Sequence, residues 1–364
     1  MRNHNMDFIR GIAVLGLVYM NIYTFGIFEL GYIPLSVAPL SDDIIHAFSL
    51  IFVEGRFRTL FSILFGAGLY IQWQRYHSPP RLKNRLYWLI LLALVHGFLL
   101  WPGDILFTYG VSGWFALRYL NSNNELLLKR AGQFILISGV ATALVTFSID
   151  EPILVRDSAA FNELYSLYYQ SLLAHFSMNL ALYTLMLVIV PFITLWACTA
   201  LMLIGIYLYK QRAFTTGLKL KSVILIAVGA VLFTSLRLIA ERYTAGLIYS
   251  LQELLNSIAA LLMAVIYIHL AVKLCNNRAT VGALLQQVGR FAFSLYICQT
   301  LMQLLLFKVL FSHWVITFNR SDYWQVATML VVLQLLLTWL YSRYFQQGPL
   351  EYLWRHLTRL KTAS

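Results

Sequence analysis

Long apolar runs recur along this chain, and lipid is the only solvent in which so many of them can be stabilised together. Crossing the hydrocarbon core of a bilayer takes about 20 apolar residues of helix. By that measure the sequence predicts ten spans, near 8–29, 57–74, 86–101, 104–121, 131–149, 183–208, 221–240, 253–274, 291–312 and 324–345. Composition agrees: 60% of the residues are hydrophobic and 12% charged, whereas roughly a quarter of a soluble domain is charged. The predicted fold class is all-α, a polytopic integral membrane protein of about ten transmembrane helices in a single transmembrane helical domain over 1–364. The first apolar run continues to about Leu30 with no convincing small-residue cleavage site, so it reads as an uncleaved helix rather than a signal peptide.

The third and fourth runs are short and separated only by Pro102 and Gly103, which predicts a tight helical hairpin or a turn dipping into the membrane. Two segments are amphipathic without being long enough to cross. Ile44, Ile45, Phe48 and Ile51 mark one within 41–54, and Leu164, Leu167, Tyr168 and Leu172 mark another within 151–179. Both are expected on the outer side, with a C-terminal tail at 346–364 on the cytoplasmic side.

A net charge of +12 in a soluble chain would suggest an anionic partner such as nucleic acid. In a membrane chain the same excess marks cytoplasmic loops. With the N-terminus inside, 20 of the 27 Lys and Arg fall on the cytoplasmic side, among them Arg2 and Lys361. The other seven, Arg56, Arg58, Arg156, Arg237, Arg242, Lys308 and Arg320, fall elsewhere. The sequence therefore predicts both termini in the cytoplasm, membrane lipids as partners and no nucleic acid. Cys198, Cys275 and Cys298 show no metal-ligand or redox spacing and read as core residues, with no metal implied. No Walker loop, HExxH or GxSxG element stands in a fitting context, which argues against ATP-driven transport, metalloprotease and serine-hydrolase chemistry.

Ionisable groups inside spans are costly, so each is a functional candidate. Asp7 and Arg10 stand three apart at the mouth of the first span and can pair; Arg10 can alternatively bind an anionic group. Asn21, deeper in the same helix, reads as interhelical glue. Glu54, Arg56 and Arg58 open the second span. Glu54 and Arg58, four apart, can pair along a helix, leaving Arg56 on another face; the alternative is a substrate-orienting role for these charges. Ser62, Gly66 and Gly68 supply a small surface for a neighbouring helix. His96 precedes the Pro102-Gly103 break and Asp104 follows it, so the hairpin can bring them together as an imidazole and its orienting carboxylate. A capping aspartate and an unrelated packed histidine remain the alternative. Tyr109 can serve the same cavity. Arg290 stands at a cytoplasmic helix mouth, as a topology determinant or a phosphate ligand, with Tyr296 and Gln299 beyond it, and His269 reads as a packing residue.

Several of these residues lie in motifs. The runs Met6-Asp7-Phe8-Ile9-Arg10-Gly11-Ile12-Ala13 and Arg58-Thr59-Leu60-Phe61-Ser62-Ile63-Leu64-Phe65-Gly66-Ala67-Gly68-Leu69 resemble the YeiB-like family of bacterial inner-membrane proteins. So do His96-Gly97, Gly103-Asp104-Ile105-Leu106 with Tyr109, and the closing Gly348-Pro349-Leu350-Glu351-Tyr352-Leu353-Trp354-Arg355. That family is remotely similar to the transmembrane acyltransferases, which move an acyl group from a cytoplasmic donor across the bilayer to a sugar.

The resemblance implies the bacterial cytoplasmic membrane and an acyltransferase that moves an acyl group from acyl-CoA to the hydroxyl or amine of an envelope glycan or lipid. His96 and Asp104 are the expected catalytic pair, on their chemistry rather than by matched position. Glu54, Arg56, Arg58 and Tyr109 are the expected substrate-binding residues, and Arg10 and Arg290 the expected ligands of the donor phosphates. A secondary transporter or exporter of a small solute is the competing reading.

Overall fold

The computed structural model describes residues 3–147, 154–169, 171–243 and 246–360; Arg2, Lys361 and parts of the 151–179 segment lie outside the described residues. Among those described, every regular element is helical. In order they are α1 (His4–Gly26), α2 (Leu40–Phe52), α3 (Arg56–Tyr76), α4 (Pro79–Leu99), α5 (Leu106–Ala116) and α6 (Asn124–Phe147). Then come α7 (Ala159–Tyr169), α8 (Leu172–Ile189), α9 (Thr194–Lys210), α10 (Ala213–Thr216), α11 (Leu220–Ala240) and α12 (Gly246–Ser250). The chain continues through α13 (Gln252–Cys275), α14 (Ala283–Arg290) and α15 (Ala292–Leu304), which runs into a π-helical turn at Leu305–Leu310. It closes with α16 (Trp314–Thr317), α17 (Arg320–Tyr341) and α18 (Pro349–Leu360).

The all-α polytopic class is as the sequence predicts. Among the described residues seven helices are long and apolar enough to cross a membrane, or eight if the bent pair α7–α8 is one span. The sequence count of about ten differs for physical reasons. Helix α5 has 11 residues, about 16 Å at the α-helical rise, which is half the ~30 Å of a hydrocarbon core. The predicted run 183–208 is broken between α8 and α9. Helix α3 begins with Arg56 and Arg58 and carries Gln72, Gln74 and Arg75 near its end, which dilutes its apolar character. Helix α2 exposes Leu40, Ile44, Phe48 and Phe52 while burying Asp42, Ser49 and Leu50, as suits a helix lying on a lipid surface.

Helix α1 is the most buried of the seven apolar spans and packs against α3, α13, α14, α15 and α17. Lipid removes the hydrophobic drive for two helices to associate, so close approach through small residues must replace it. A Cβ added to Gly289 would lie 1.9 Å from the Asp7 carbonyl oxygen, and one on Gly11 would lie 2.0 Å from that of Leu285. The same device joins α3 to α9, where a Cβ on Gly66 meets the Met202 backbone at 2.1 Å and one on Gly205 meets the Ile63 carbonyl at 1.9 Å. Gly68, predicted as part of that surface, has nothing within 4 Å.

Polar contacts sort the loops into two ends. At one, the His4 backbone N–H donates to Asn277 (2.8 Å), Lys210 Nζ to the Ser122 carbonyl (2.7 Å) and Asn84 to the Thr358 carbonyl (3.0 Å). At the other, His46 pairs with Glu241 (2.8 Å), buried Arg156 donates to the Ile33 carbonyl (2.8 Å), and the Arg320 backbone N–H donates to Asp42 (2.9 Å). Both described ends of the chain therefore lie together, as the distribution of Lys and Arg predicts.

The glycine contacts generate a prediction. Gly289→Ala and Gly205→Ala each lower the unfolding midpoint of the detergent-purified protein by the equivalent of about 1–3 kcal/mol, because backbone must move. Gly68→Ala leaves the midpoint unchanged or slightly raised, since alanine favours helix. Thermal unfolding of the three variants checks this.

Candidate functional site

His96 sits in the last turn of α4 and Asp104 in the loop that leads into α5. The break brings them into contact: His96 Nδ1 lies 2.9 Å from Asp104 Oδ1, with both side chains almost fully buried. The other Asp104 oxygen accepts from the Phe107 backbone N–H (2.9 Å), so the carboxylate also caps α5. The capping and orienting roles, alternatives in the sequence, are thus filled together by one side chain. An ionised carboxylate can only accept, which places the imidazole proton on Nδ1 and leaves Nε2 as an acceptor. Nε2 faces the Thr300 hydroxyl at 3.1 Å. Tyr296, also on α15, donates to Asp104 at 3.5 Å, and its ring centroid lies 5.4 Å from that of the imidazole.

Local packing explains the motif around His96. Gly97 leaves space for the Tyr183 ring, since a Cβ there would come within 2.0 Å of it. Tyr183 donates to the Ala93 carbonyl (3.2 Å), and Asn179 Nδ2 to the Gly97 and Phe98 carbonyls (3.0 and 2.9 Å). Through Asn179, α8 thereby satisfies two carbonyls at the end of α4 that would otherwise lack partners.

A cavity of about 470 Å³, bounded by parts of α1, α3, α5, α6, α8, α9, α13 and α15, is lined by Tyr296 and by Asp104, whose carboxylate itself is fully buried. Arg58, Asn21, Thr59, Ser62 and Glu253 also line it. His96 and Thr300 stand behind the wall. Arg58 and Asp104, 46 positions apart in the chain, thus share one cavity.

Other expected site residues do different work. Arg56 is fully buried, and its guanidinium donates to the Ile51 and Glu54 carbonyls and to Asn256 Oδ1. It closes the end of α2 and does not line the cavity. The Glu54–Arg58 pair does not form. Gly55, at φ +75°, separates Glu54 from α3, so the helical four-residue spacing does not apply. Glu54 instead accepts from Asn256 (3.4 Å), and burial, with the nearby Glu253 carboxylate adding to it, pushes its pKa up. Tyr109 is buried away from the cavity; its hydroxyl donates to the Arg58 carbonyl (3.2 Å) and accepts from Ser62 (3.3 Å). Asn21 lines the cavity, and Gln299 supplies the interhelical glue, donating to the Val14 carbonyl and to Gln334, both at 2.9 Å. His269 accepts from the Leu218 backbone N–H (3.0 Å), as a packed residue should.

At the end that carries the termini, Arg10 pairs with Asp7 at 3.0 Å. Arg10 and Arg290 flank the Gly11–Gly289 crossing, where α1 and α14 meet backbone to backbone, so no ligand fits between those helices at that point. Neither arginine lines the cavity.

Residues 207–361 match the family model described as "Protein of unknown function (DUF418)". Over 98% of this chain and 96% of its own length, the "Uncharacterized protein YeiB" of Escherichia coli K12 is 29% identical. The "Uncharacterized protein YxaH" of Bacillus subtilis is 24% identical over 98% of this chain and 94% of its own. The chain is thus similar to the YeiB and YxaH proteins along nearly its whole length. In this chain the closing motif has a structural role: Glu351 on α18 accepts from the Phe293 and Ser294 backbone N–H groups (2.8 and 3.2 Å), capping α15 from outside. Trp354 donates to the Arg85 carbonyl (3.0 Å) and lies under the Arg85 guanidinium.

Sequence reading missed Glu253 and Thr300. An acidic residue at the mouth of an apolar run was the available signal for Glu253, whereas nothing local distinguishes Thr300. Replacing Asp104 tests its double role. Asp104→Ala removes both the α5 cap and the imidazole partner and lowers stability by about 2–4 kcal/mol. Asp104→Asn keeps an acceptor for the cap and loses less, as denaturant titrations of the two variants would show.

Proposed function

We propose that the protein is a membrane-bound acyltransferase of the bacterial cytoplasmic membrane. It moves an acyl group from a cytoplasmic acyl-CoA to a hydroxyl or amine of an envelope glycan or lipid. The observation that carries this reading is the buried His96–Asp104 pair backing onto a partly polar cavity through Asp104 and Tyr296. A dry imidazole with a fixed tautomer is suited to take a proton from an acceptor. Asp104 stabilises the imidazolium that forms.

The acceptor oxygen or nitrogen attacks the thioester carbonyl and loses its proton to His96. The carbon–sulfur bond breaks, and the departing thiolate recovers that proton. For His96 Nε2 to reach the acceptor, the Thr300 hydroxyl that holds it must give way. Apolar side chains on the cavity wall, including Leu17, Met186 and Leu254, suit an acyl chain. The donor phosphates are assigned to basic side chains at the end that carries the termini, outside the closed Gly11–Gly289 crossing.

A separate observation favours transport of a small solute. The break between α8 and α9 places Val190, Ile193 and Thr194 on the cavity wall, and carriers build midplane sites from discontinuous helices. Solute uptake by proteoliposomes, driven by a proton gradient without any acyl donor, is the signature of that reading.

Labelled acyl-CoA supplied to vesicles containing the protein tests the transferase. Label passes to the lipid or glycan fraction with wild type. His96→Ala lowers the rate by about 10²–10⁴-fold, the range for a general base, and Asp104→Asn lowers it by at least about tenfold. Undiminished transfer by His96→Ala would sink the assignment.

A further inference from the structure

The cavity holds two charged side chains that the fold does not neutralise. Arg58 lies in the first turn of α3, where the positive end of the helix dipole disfavours a cation. Its backbone is fixed, because its carbonyl accepts from Ser62 and Tyr109. Its side chain is exposed on the cavity wall. Among the described residues the guanidinium has no hydrogen bond or ion pair.

Glu253, in the first turn of α13, lines the same cavity and is likewise exposed there without such a partner among the described residues. A first-turn carboxylate is favoured by the dipole whatever else it does, so Glu253 alone would carry little. Its significance comes from Arg58, which shares the cavity and yet is not paired with it. An unpaired charge facing a partly apolar wall is costly unless a polar partner meets it. Two opposite charges kept apart in one cavity form a site whose counter-charges arrive with a ligand. The wall around them is apolar at Met20, Leu254 and Ile258.

We propose that this cavity binds a zwitterionic headgroup, an aminoalkyl phosphate of the phosphoethanolamine type, with its phosphate on Arg58 and its ammonium on Glu253. Guanidinium is matched to phosphate by its forked donors, and a carboxylate accepts from an ammonium. The same chemistry occurs in a membrane lipid and in a free phosphodiester. The inference rests on the acyltransferase reading only in naming a class of acceptor for it.

The test is a binding measurement on the full-length detergent-purified protein, read as thermal stabilisation across a titration. The probes are dihexanoyl phosphatidylethanolamine, dihexanoyl phosphatidylglycerol and glycerophosphoethanolamine. Phosphatidylethanolamine should bind at least about tenfold more tightly than phosphatidylglycerol, which lacks the ammonium, because a charge-assisted contact is worth that much. Arg58→Gln should weaken both lipids about tenfold or more. Glu253→Gln should weaken phosphatidylethanolamine alone and erase the preference.

Binding of glycerophosphoethanolamine as tight as that of the lipid assigns the free zwitterion as the source; binding of the lipid alone assigns the membrane. Equal binding of the two lipids by wild type, or a preference that survives Glu253→Gln, overturns the proposal. Should Glu253→Gln not fold, Glu253→Asp replaces it, and a preference unchanged by shortening the side chain counts against the site. The readout needs no turnover. An inactive protein that binds the headgroup leaves this inference standing, and an active one that does not leaves the His96–Asp104 chemistry standing.

Discussion

Backbone-to-backbone contact at Gly11 and Gly289 sets the position of α1 in the middle of the bundle, and Gly66 with Gly205 sets α3 against α9 in the same way. Water would drive helices together by burying apolar surface, but in lipid the tails are as apolar as leucine and that drive is absent. Dispersion between closely approaching backbones must hold the spans instead, and it falls off steeply with distance. Once α1 and α3 are fixed by these contacts, Asn21, Arg58 and Ser62 are brought to one cavity.

Satisfying backbone groups at helix ends is the second demand of lipid. Three buried or half-buried polar residues answer it from a distance. Arg56 closes α2, Asn179 closes α4 and Glu351 opens α15. Such residues look like functional candidates in a sequence because they are charged or polar and lie near apolar runs.

Glu29 and Lys308 form a buried ion pair, 3.3 Å apart. It ties the segment after α1 to the π-helical turn, with the Lys308 ammonium 5.4 Å from the Tyr168 ring centroid. Burial raises the Glu29 pKa, and Lys308 pulls it part of the way back. The charges at the candidate site differ: Asp104 holds His96 as well as capping α5, and Arg58 and Glu253 line the cavity.

The sequence by itself determined that the chain is a helical membrane protein, because apolar run length is a local property and the bilayer thickness is fixed. It determined which loops share an end, since Lys and Arg are counted loop by loop. It also allowed His96 to meet Asp104 across a short break between two helices, an arrangement it left open and the structure decided. Tertiary structure alone decided the rest. The Glu54–Arg58 pair depended on helix continuing through Gly55, and a left-handed glycine ended it. Whether Arg56 or Arg58 faced the cavity turned on where α2 and α13 packed. Thr300, Tyr296 and Glu253 joined the site from helices far along the chain, and long-range packing leaves no mark in the local spacing from which a sequence is read.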